Sequence, residues 1–215
     1  MALFERPHLQ YITEVTPLLG SEGFDRIVAA VEGGVDSIQL RERGVSARTM
    51  FDIASRLIPI AATHDVAIAI NDRIDVAAAL DGVGLHLGGH SLPIATAREI
   101  AGPRIIGVST HSLDDARIQA ASGADYVTFG HIFATTSHPG EIPAGLATLR
   151  EVAAVVNVPI LAIGGVDRGN IAGVLAAGAA GITVISAIRN AFDPYVATRE
   201  LRHALDHLPA PGAIA

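Results

Sequence analysis

Two short segments end in small residues that suit the binding of an anion. Both are apolar, β-branched runs: Ala162-Ile163-Gly164-Gly165-Val166 and, about twenty residues later, Val184-Ile185-Ser186-Ala187-Ile188. Glycine lets the backbone approach an anion closely, and a helix that follows directs its partial positive end toward it. We therefore expect backbone N–H groups of Gly164, Gly165, Ser186 and Ala187 to bind a phosphate.

A second set of residues carries side chains that could bind a substrate or move a proton. Guanidinium groups pair with carboxylates and phosphates, and an imidazole takes and returns protons near neutral pH. The set consists of Gln39, Arg41, Arg43, Asn71, Asp72, Ser109, His111 and His131. Two simpler roles compete: Asp72 could only cap a helix that starts at Arg73, and His86, between two leucines, is predicted to be a hydrogen-bonded core histidine.

Eight apolar runs, each followed by a helical pattern, are the elements that must position these residues. The predicted strands are 8–12, 36–41, 66–70, 83–87, 104–109, 125–130, 159–164 and 181–186, with helices that include 46–63, 93–101, 112–122, 144–156 and 167–177. The spacing of roughly 20–30 residues per unit is typical of βα repeats. When such repeats close into a barrel, polar residues at the carboxyl ends of the strands face the active site.

We predict an α/β fold, a single-domain (β/α)8 TIM barrel. Within the 1–215 chain, the barrel is expected over about residues 8–206 and a short C-terminal tail over 207–215. The alternative is an open doubly wound sheet, which normally carries its glycine-rich phosphate loop after the first strand. Here the first strand is followed by Thr13-Glu14-Val15-Thr16-Pro17, so the sequence favours the closed barrel.

Composition and charge limit the partners. The formal net charge of −7 argues against nucleic acid or an anionic membrane, and the absence of cysteine excludes disulfides and thiolate sites. The first residues lack the apolar stretch of a signal peptide, and no apolar run of about 18 residues occurs. We expect a cytoplasmic protein that binds no membrane and no nucleic acid.

Six motifs that follow one another along the chain resemble the thiamine phosphate synthase/TenI family over about residues 8–206. They are 39–43 (QLRER), 70–73 (INDR), 83–88 (VGLHLG), 107–109 (GVS), 123–127 (GADYV) and 163–166 (IGGV). The resemblance implies a TIM barrel, a small phosphorylated thiazole as substrate and a homodimer. It also implies one of two activities: synthesis of thiamine phosphate from a pyrimidine diphosphate and a thiazole phosphate, or tautomerisation of a thiazole carboxylate phosphate.

Departures from the synthase pattern concern the groups that hold the departing diphosphate. The resemblance implies Mg²⁺ bound by two aspartates and a lysine on the loop after the sixth strand. Asp72 matches the first aspartate, but Ser91 occupies the position of the second and His138 that of the lysine. A neutral hydroxyl is a poor Mg²⁺ ligand, and a mostly neutral imidazole is no substitute for an ammonium.

The tautomerase pattern is met in the segment Phe129-Gly130-His131-Ile132-Phe133, which resembles the TenI-like sequence that carries the acid/base histidine. We therefore expect an isomerase, a thiazole tautomerase in which His131 transfers the proton. The alternative is that His131 only anchors the loop. Arg41 or Arg43 would bind the substrate carboxylate, unless either is paired with Glu42 or Asp72. This reaction needs no cofactor and no metal; Mg²⁺ enters only with the synthase alternative.

Two alternatives to the tautomerase stay open at this point. The first is a divergent thiamine phosphate synthase, which the QLRER and INDR motifs favour. The second is a non-catalytic regulatory barrel that binds a thiamine precursor.

Overall fold

The eight predicted strands form a closed parallel barrel in the computed structural model, which describes residues 4–14, 21–41 and 44–208. The strands run in chain order around the barrel, and the last pairs with the first through His8 and Gly181. They are β1 (His8–Glu14), β2 (Ser37–Arg41), β3 (Ala67–Asn71), β4 (Gly84–Leu87), β5 (Ile106–Thr110), β6 (Tyr126–Gly130), β7 (Ile160–Ile163) and β8 (Gly181–Val184). The TIM-barrel prediction is confirmed.

Helices alternate with the strands and cover the barrel. They are α1 (Ser21–Gly33), α2 (Ala47–Ala62), α3 (Ile74–Ala78), α4 (Ile94–Ala101), α5 (Leu113–Ala121), α6 (Gly145–Val155), α7 (Ile171–Ala176), α8 (Ser186–Arg189) and α9 (Pro194–Asp206). Side chains cap three of them at the N-terminus: Ser46 accepts a hydrogen bond from the N–H of Thr49, Ser112 from that of Asp115, and Asp193 from that of Val196. In the predicted tail, residues 209–215 lie outside the described residues.

Several predicted boundaries are wrong at the carboxyl side of the barrel: β1 extends to Glu14 rather than 12, and β3 and β5 each end one residue later than predicted. β7 ends at Ile163 because Gly164 adopts a φ of 93°, and β8 ends at Val184 because a short helix begins at Ser186. α7 begins at Ile171 rather than 167, since Asp167 accepts a hydrogen bond from the N–H of Gly169 (2.8 Å) and holds a turn there. Such local side-chain hydrogen bonds compete with the first turn of a helix.

A chain of buried polar side chains crosses the barrel interior beneath the carboxyl ends of the strands. The Gln10 amide donates to Tyr126 Oη (3.1 Å), which also contacts His86 Nδ1 (3.1 Å), and His86 Nε2 lies 2.9 Å from Ser109 Oγ. Burial lowers the pKa of His86 to about 4 and raises that of Tyr126 to about 12. The prediction of a hydrogen-bonded core histidine at position 86 is confirmed.

A second buried histidine, His8, pairs through Nε2 with Ser37 Oγ at 2.8 Å, and burial lowers its pKa to about 4 as well. Both histidines are neutral in the folded chain but take up a proton on unfolding below about pH 6.5. Their contribution to stability is therefore complete above pH 6.5 and is lost as the pH falls toward 4. Between pH 7 and pH 5 we expect each to cost about 2 kcal/mol of unfolding free energy.

Urea unfolding at the two pH values tests this with a variant. His8→Gln keeps a nitrogen or oxygen near Ser37 Oγ and removes the titrating ring, so its loss of stability should be about 2 kcal/mol smaller than that of the wild type. His90→Gln, at an exposed position, is the control and should behave as the wild type. An unchanged pH dependence in His8→Gln would contradict the assignment.

No helix in the described part of the chain is both long enough and apolar enough to cross a membrane.

Candidate active site

Three predicted substrate-binding residues form a hydrogen-bonded relay at the carboxyl ends of β2 and β3. Gln39 Nε2 donates to Asn71 Oδ1, and Asn71 Nδ2 donates to Asp72 Oδ2, both at 2.7 Å. An ionised carboxylate only accepts hydrogen bonds, so Asp72 fixes the orientation of the Asn71 amide and, through it, that of Gln39. As a result the remaining acceptor, Gln39 Oε1, is buried without a partner among the described residues.

The Asp72 carboxylate is exposed and lies against the loop that follows β4. Its Oδ1 accepts a hydrogen bond from the N–H of Gly88 (3.0 Å) and contacts the hydroxyl of Ser91. Asp72 does not cap α3, which begins at Ile74 after Arg73, so that alternative is wrong. The backbone of Asp72 has a φ of 59°, a conformation that aspartate and asparagine tolerate better than most residues.

Three further predicted residues lie beside the relay or beyond the described structure. Arg41 ends β2, is half-buried and has no hydrogen-bond or ion-pair partner among the residues that the structure describes. Ser109, at the end of β5, contacts His86 and receives a hydrogen bond from Thr128 Oγ1 (3.3 Å), which places it at the floor of the site. Arg43 lies outside the described residues.

Histidines that follow β5 and β6 meet on another side of the barrel mouth. His111 Nδ1 donates to the carbonyl of Gly130 (2.7 Å), and the rings of His131 and His138 stack with centroids 5.0 Å apart. His138 Nδ1 lies 3.3 Å from Glu141 Oε1. These side chains border the histidine cavity, a space of about 300 Å³ lined by His111, Gly130, His131, His138, Glu141, Ile142 and Ala144.

The predicted phosphate-binding residues follow β7 and β8, which are neighbours in the barrel with Ile163 opposite Thr183. Gly164 and Gly165 have φ values of 93° and 65°, and both pack against the loop after β6. Ser186 and Ala187 begin α8, directly after β8. The two segments therefore lie side by side, although the phosphate itself stays a prediction.

Sequence reasoning overlooked Glu141 and gave His138 no positive role. The spacing His138-x-x-Glu141 was a signal that it passed over, because residues three apart can share one turn. It does not show that the loop folds back onto His131, since that depends on contacts with Gly164, which is far away in the sequence.

The chain is similar in sequence to the proteins of one family. The sequence profile of a family described as thiamine monophosphate synthase matches residues 9–188. Thiamine-phosphate synthase of Roseiflexus castenholzii is 44% identical over 82% of this chain and 78% of its own length. That of Moorella thermoacetica is 40% identical over 91% and 94%. The solved structure of thiamine phosphate pyrophosphorylase from Pyrococcus furiosus superposes with a TM-score of 0.86 at 36% identity, covering 95% of this chain and 98% of that one.

These relatives contradict the thiazole tautomerase hypothesis, which is wrong together with its isomerase class. The acid/base role of His131 belongs to that reaction and has no place in the corrected interpretation. That hypothesis rested on Ser91 and His138, and neither residue excludes a synthase. Mg²⁺ often binds proteins through only one or two carboxylates and completes its shell with substrate phosphates and water, so a missing second aspartate does not exclude a synthase.

The similarity to this family extends over most of the chain. The profile match extends from β1 into α8, and the relatives cover most of their own length as well as most of this chain. The barrel, the order of its strands and the position of the Asp72 relay agree with the motifs that first indicated the resemblance. The chain therefore belongs to the thiamine monophosphate synthase family of enzymes.

Proposed function

We propose that the chain is a thiamine-phosphate synthase, a transferase that joins hydroxymethylpyrimidine diphosphate to thiazole phosphate. The thiazole ring nitrogen forms a bond to the pyrimidine methylene carbon, while the C–O bond to the diphosphate breaks and the diphosphate leaves with the electron pair. The observation that carries the proposal is the relay, which places an unpaired buried acceptor, Gln39 Oε1, two amides away from an exposed carboxylate, Asp72.

Gln39 Oε1 supports binding of the pyrimidine. A buried acceptor without a partner costs about 1–3 kcal/mol, which a ligand N–H donor can recover. The exocyclic amino group of the pyrimidine is such a donor. Because Asp72 fixes the orientation of the amides, the site selects a ligand that donates here rather than one that accepts.

Asp72 is suited to bind the Mg²⁺ that the resemblance to synthases of this family implies. It is an exposed carboxylate in contact with the Ser91 hydroxyl, an all-oxygen donor set that leaves room for phosphate oxygens. When bound, Mg²⁺ would neutralise negative charge on the departing diphosphate. Arg41, at the neighbouring strand end, supplies a permanent positive charge for the same anion.

The thiazole phosphate is assigned to the strand ends of β7 and β8. Gly164 and Gly165 on one side and Ser186 and Ala187 on the other offer backbone N–H groups at the face where TIM barrels commonly bind phosphate. The homodimer and the cytoplasmic location stay predictions, the first of which analytical ultracentrifugation tests.

The direct test supplies both substrates and Mg²⁺ and measures thiamine phosphate and released diphosphate. We expect formation of both products and complete loss of activity with EDTA, restored by excess Mg²⁺. Tight binding of the substrates without product, under saturating conditions, would refute the synthase and identify the non-catalytic barrel instead.

Replacing Ser91 with aspartate tests the metal assignment as a gain of function. A second carboxylate against Asp72 should lower the Mg²⁺ concentration for half-maximal activity by about tenfold, because carboxylates bind Mg²⁺ more strongly than hydroxyls do. Without Mg²⁺ the two like charges should lower the melting temperature, and Mg²⁺ should restore it. Ser91→Ala, which adds no ligand, is the matched control. Equal Mg²⁺ dependence in wild type and Ser91→Asp would show that Mg²⁺ does not bind at this position.

A further inference from the structure

From the geometry of the histidine cavity we propose a second metal site, in which His131, His138 and Glu141 bind one divalent transition-metal ion such as Zn²⁺ or Co²⁺. Each residue offers one ligand atom, and these atoms lie within 4.8 Å of one another. Two imidazoles and one carboxylate are a donor set that binds Zn²⁺ in proteins and leaves one coordination position open. This site is separate from the Asp72 carboxylate, since its residues follow β6 rather than β3.

His131 provides the observation that points to a ligand. The residue is only 9% exposed, and its Nε2 is buried without a hydrogen-bond partner among the described residues. A buried ring nitrogen without a partner is costly, and most buried polar atoms in proteins are satisfied. Because the His131 ring lines the cavity and stacks on His138, an ion bound there would give Nε2 the partner that it lacks among the described residues.

The pair His138 and Glu141 has the spacing of two ligands rather than that of a strong hydrogen bond. Nδ1 and Oε1 lie 3.3 Å apart, whereas hydrogen bonds between ionised groups are shorter, about 2.7–2.9 Å. Two donors on one tetrahedral Zn²⁺, at about 2.1 Å from the ion, are about 3.4 Å apart. The three ligand atoms lie within 4.8 Å of one another, so binding one ion requires them to draw closer by up to about 1.4 Å, part of which the half-exposed His138 ring can supply by turning.

His111 extends the site toward the open position. Its Nδ1 donates to the Gly130 carbonyl, which fixes the tautomer and leaves Nε2 with a free lone pair. A backbone carbonyl holding the second nitrogen is the usual arrangement around a metal-binding histidine. The open position remains available to this nitrogen, to water or to an oxygen of a bound substrate.

Metal titration of the protein alone, without substrates, tests the site. The protein is used with any polyhistidine tag removed, Zn²⁺ binding is measured by calorimetry, and Co²⁺ binding by its visible absorption. We expect one equivalent to bind, and His138→Gln and Glu141→Gln each to weaken the affinity at least about tenfold. Both residues are at least partly exposed, so circular dichroism should show the wild-type fold.

The control removes a competing histidine pair. His203 on α9 and His207, directly after that helix, stack with centroids 4.0 Å apart and could bind metal adventitiously, so His203→Gln should leave the affinity unchanged. Wild-type affinity in either His138→Gln or Glu141→Gln, loss of binding in His203→Gln, or binding weaker than about 1 mM would overturn the proposal.

A consequence for catalysis rests on the proposed function. The resemblance implies a lysine at the position of His138, and a divalent ion bound there would supply the positive charge that the lysine would carry. At saturating Mg²⁺, added Zn²⁺ should then raise the synthase activity of the wild type about tenfold. His138→Lys should reach the raised activity without Zn²⁺, and His138→Gln should not respond to Zn²⁺. If the wild type makes no thiamine phosphate, the proposed function fails, and the titration still decides whether the metal site exists.

Discussion

Asp72→Asn should lower kcat/KM for thiamine phosphate synthesis by on the order of 10²–10³-fold, about 3–4 kcal/mol of transition-state stabilisation. The substitution removes the carboxylate that we assign to Mg²⁺ and leaves no other acidic side chain in its contact with Ser91 and Gly88. Asparagine suits the left-handed backbone at this position, where φ is 59°, so the fold should be unaffected.

The same substitution should also reverse the relay. The amide oxygen would stay with the two donors, Gly88 N–H and the Ser91 hydroxyl, so the new NH₂ would face the NH₂ of Asn71. Asn71 and then Gln39 must turn over, which replaces the free acceptor Gln39 Oε1 by a donor. Binding of hydroxymethylpyrimidine, which carries no diphosphate, isolates this effect from the loss of the metal.

We expect the aminopyrimidine to bind Asp72→Asn at least about tenfold more weakly, and an analogue with oxygen in place of the amino group to bind it better than it binds the wild type. Asp75→Asn is the matched control, because Asp75 is an exposed carboxylate nearby that pairs with Arg73. Activity of Asp72→Asn equal to that of Asp75→Asn would show that Asp72 neither binds metal nor orients the amides.

The order of the strands could be predicted because each one is an apolar run, buried on both faces and closed by polar or small residues. The same logic placed Gln39, Asn71 and Asp72 at one face, where the structure joins them into the relay. The direction of the hydrogen bonds in the relay could not be predicted from the sequence. It depends on which atoms of the two amides face the carboxylate, and that is a property of the folded site.

The prediction of a thiazole tautomerase was wrong for a related physical reason. Ser91 was judged alone as a poor Mg²⁺ ligand, although what matters is the combined site that it forms with Asp72, 19 residues earlier in the chain. His138 was likewise judged as a weak substitute for lysine, while the structure brings it together with His131 and Glu141. Which ligands a long loop brings together depends on how that loop packs. Here the loop after β6 packs on the turn after β7.

Gly164→Ala is the substitution that we expect to damage this packing most. A β-carbon at Gly164 would lie 2.2 Å from His131 Cβ and 2.6 Å from His131 Cα, so the loop backbone itself must move. Gly140→Ala is the control: that glycine has a similar φ, 81° against 93°, but a β-carbon there meets nothing within 4 Å. The control therefore carries the cost of the left-handed backbone, about 1 kcal/mol, without the collision.

We expect Gly164→Ala to lose about 3–4 kcal/mol of unfolding free energy and Gly140→Ala about 1 kcal/mol, measured by urea unfolding at pH 7. Since the displaced loop carries His131, and Gly164 itself belongs to the proposed phosphate site, the KM for thiazole phosphate should also rise in Gly164→Ala. It should stay at the wild-type value in Gly140→Ala. Equal losses of stability in the two variants would mean that left-handed strain alone explains the glycine, and that the close approach of the two loops does not hold the site together.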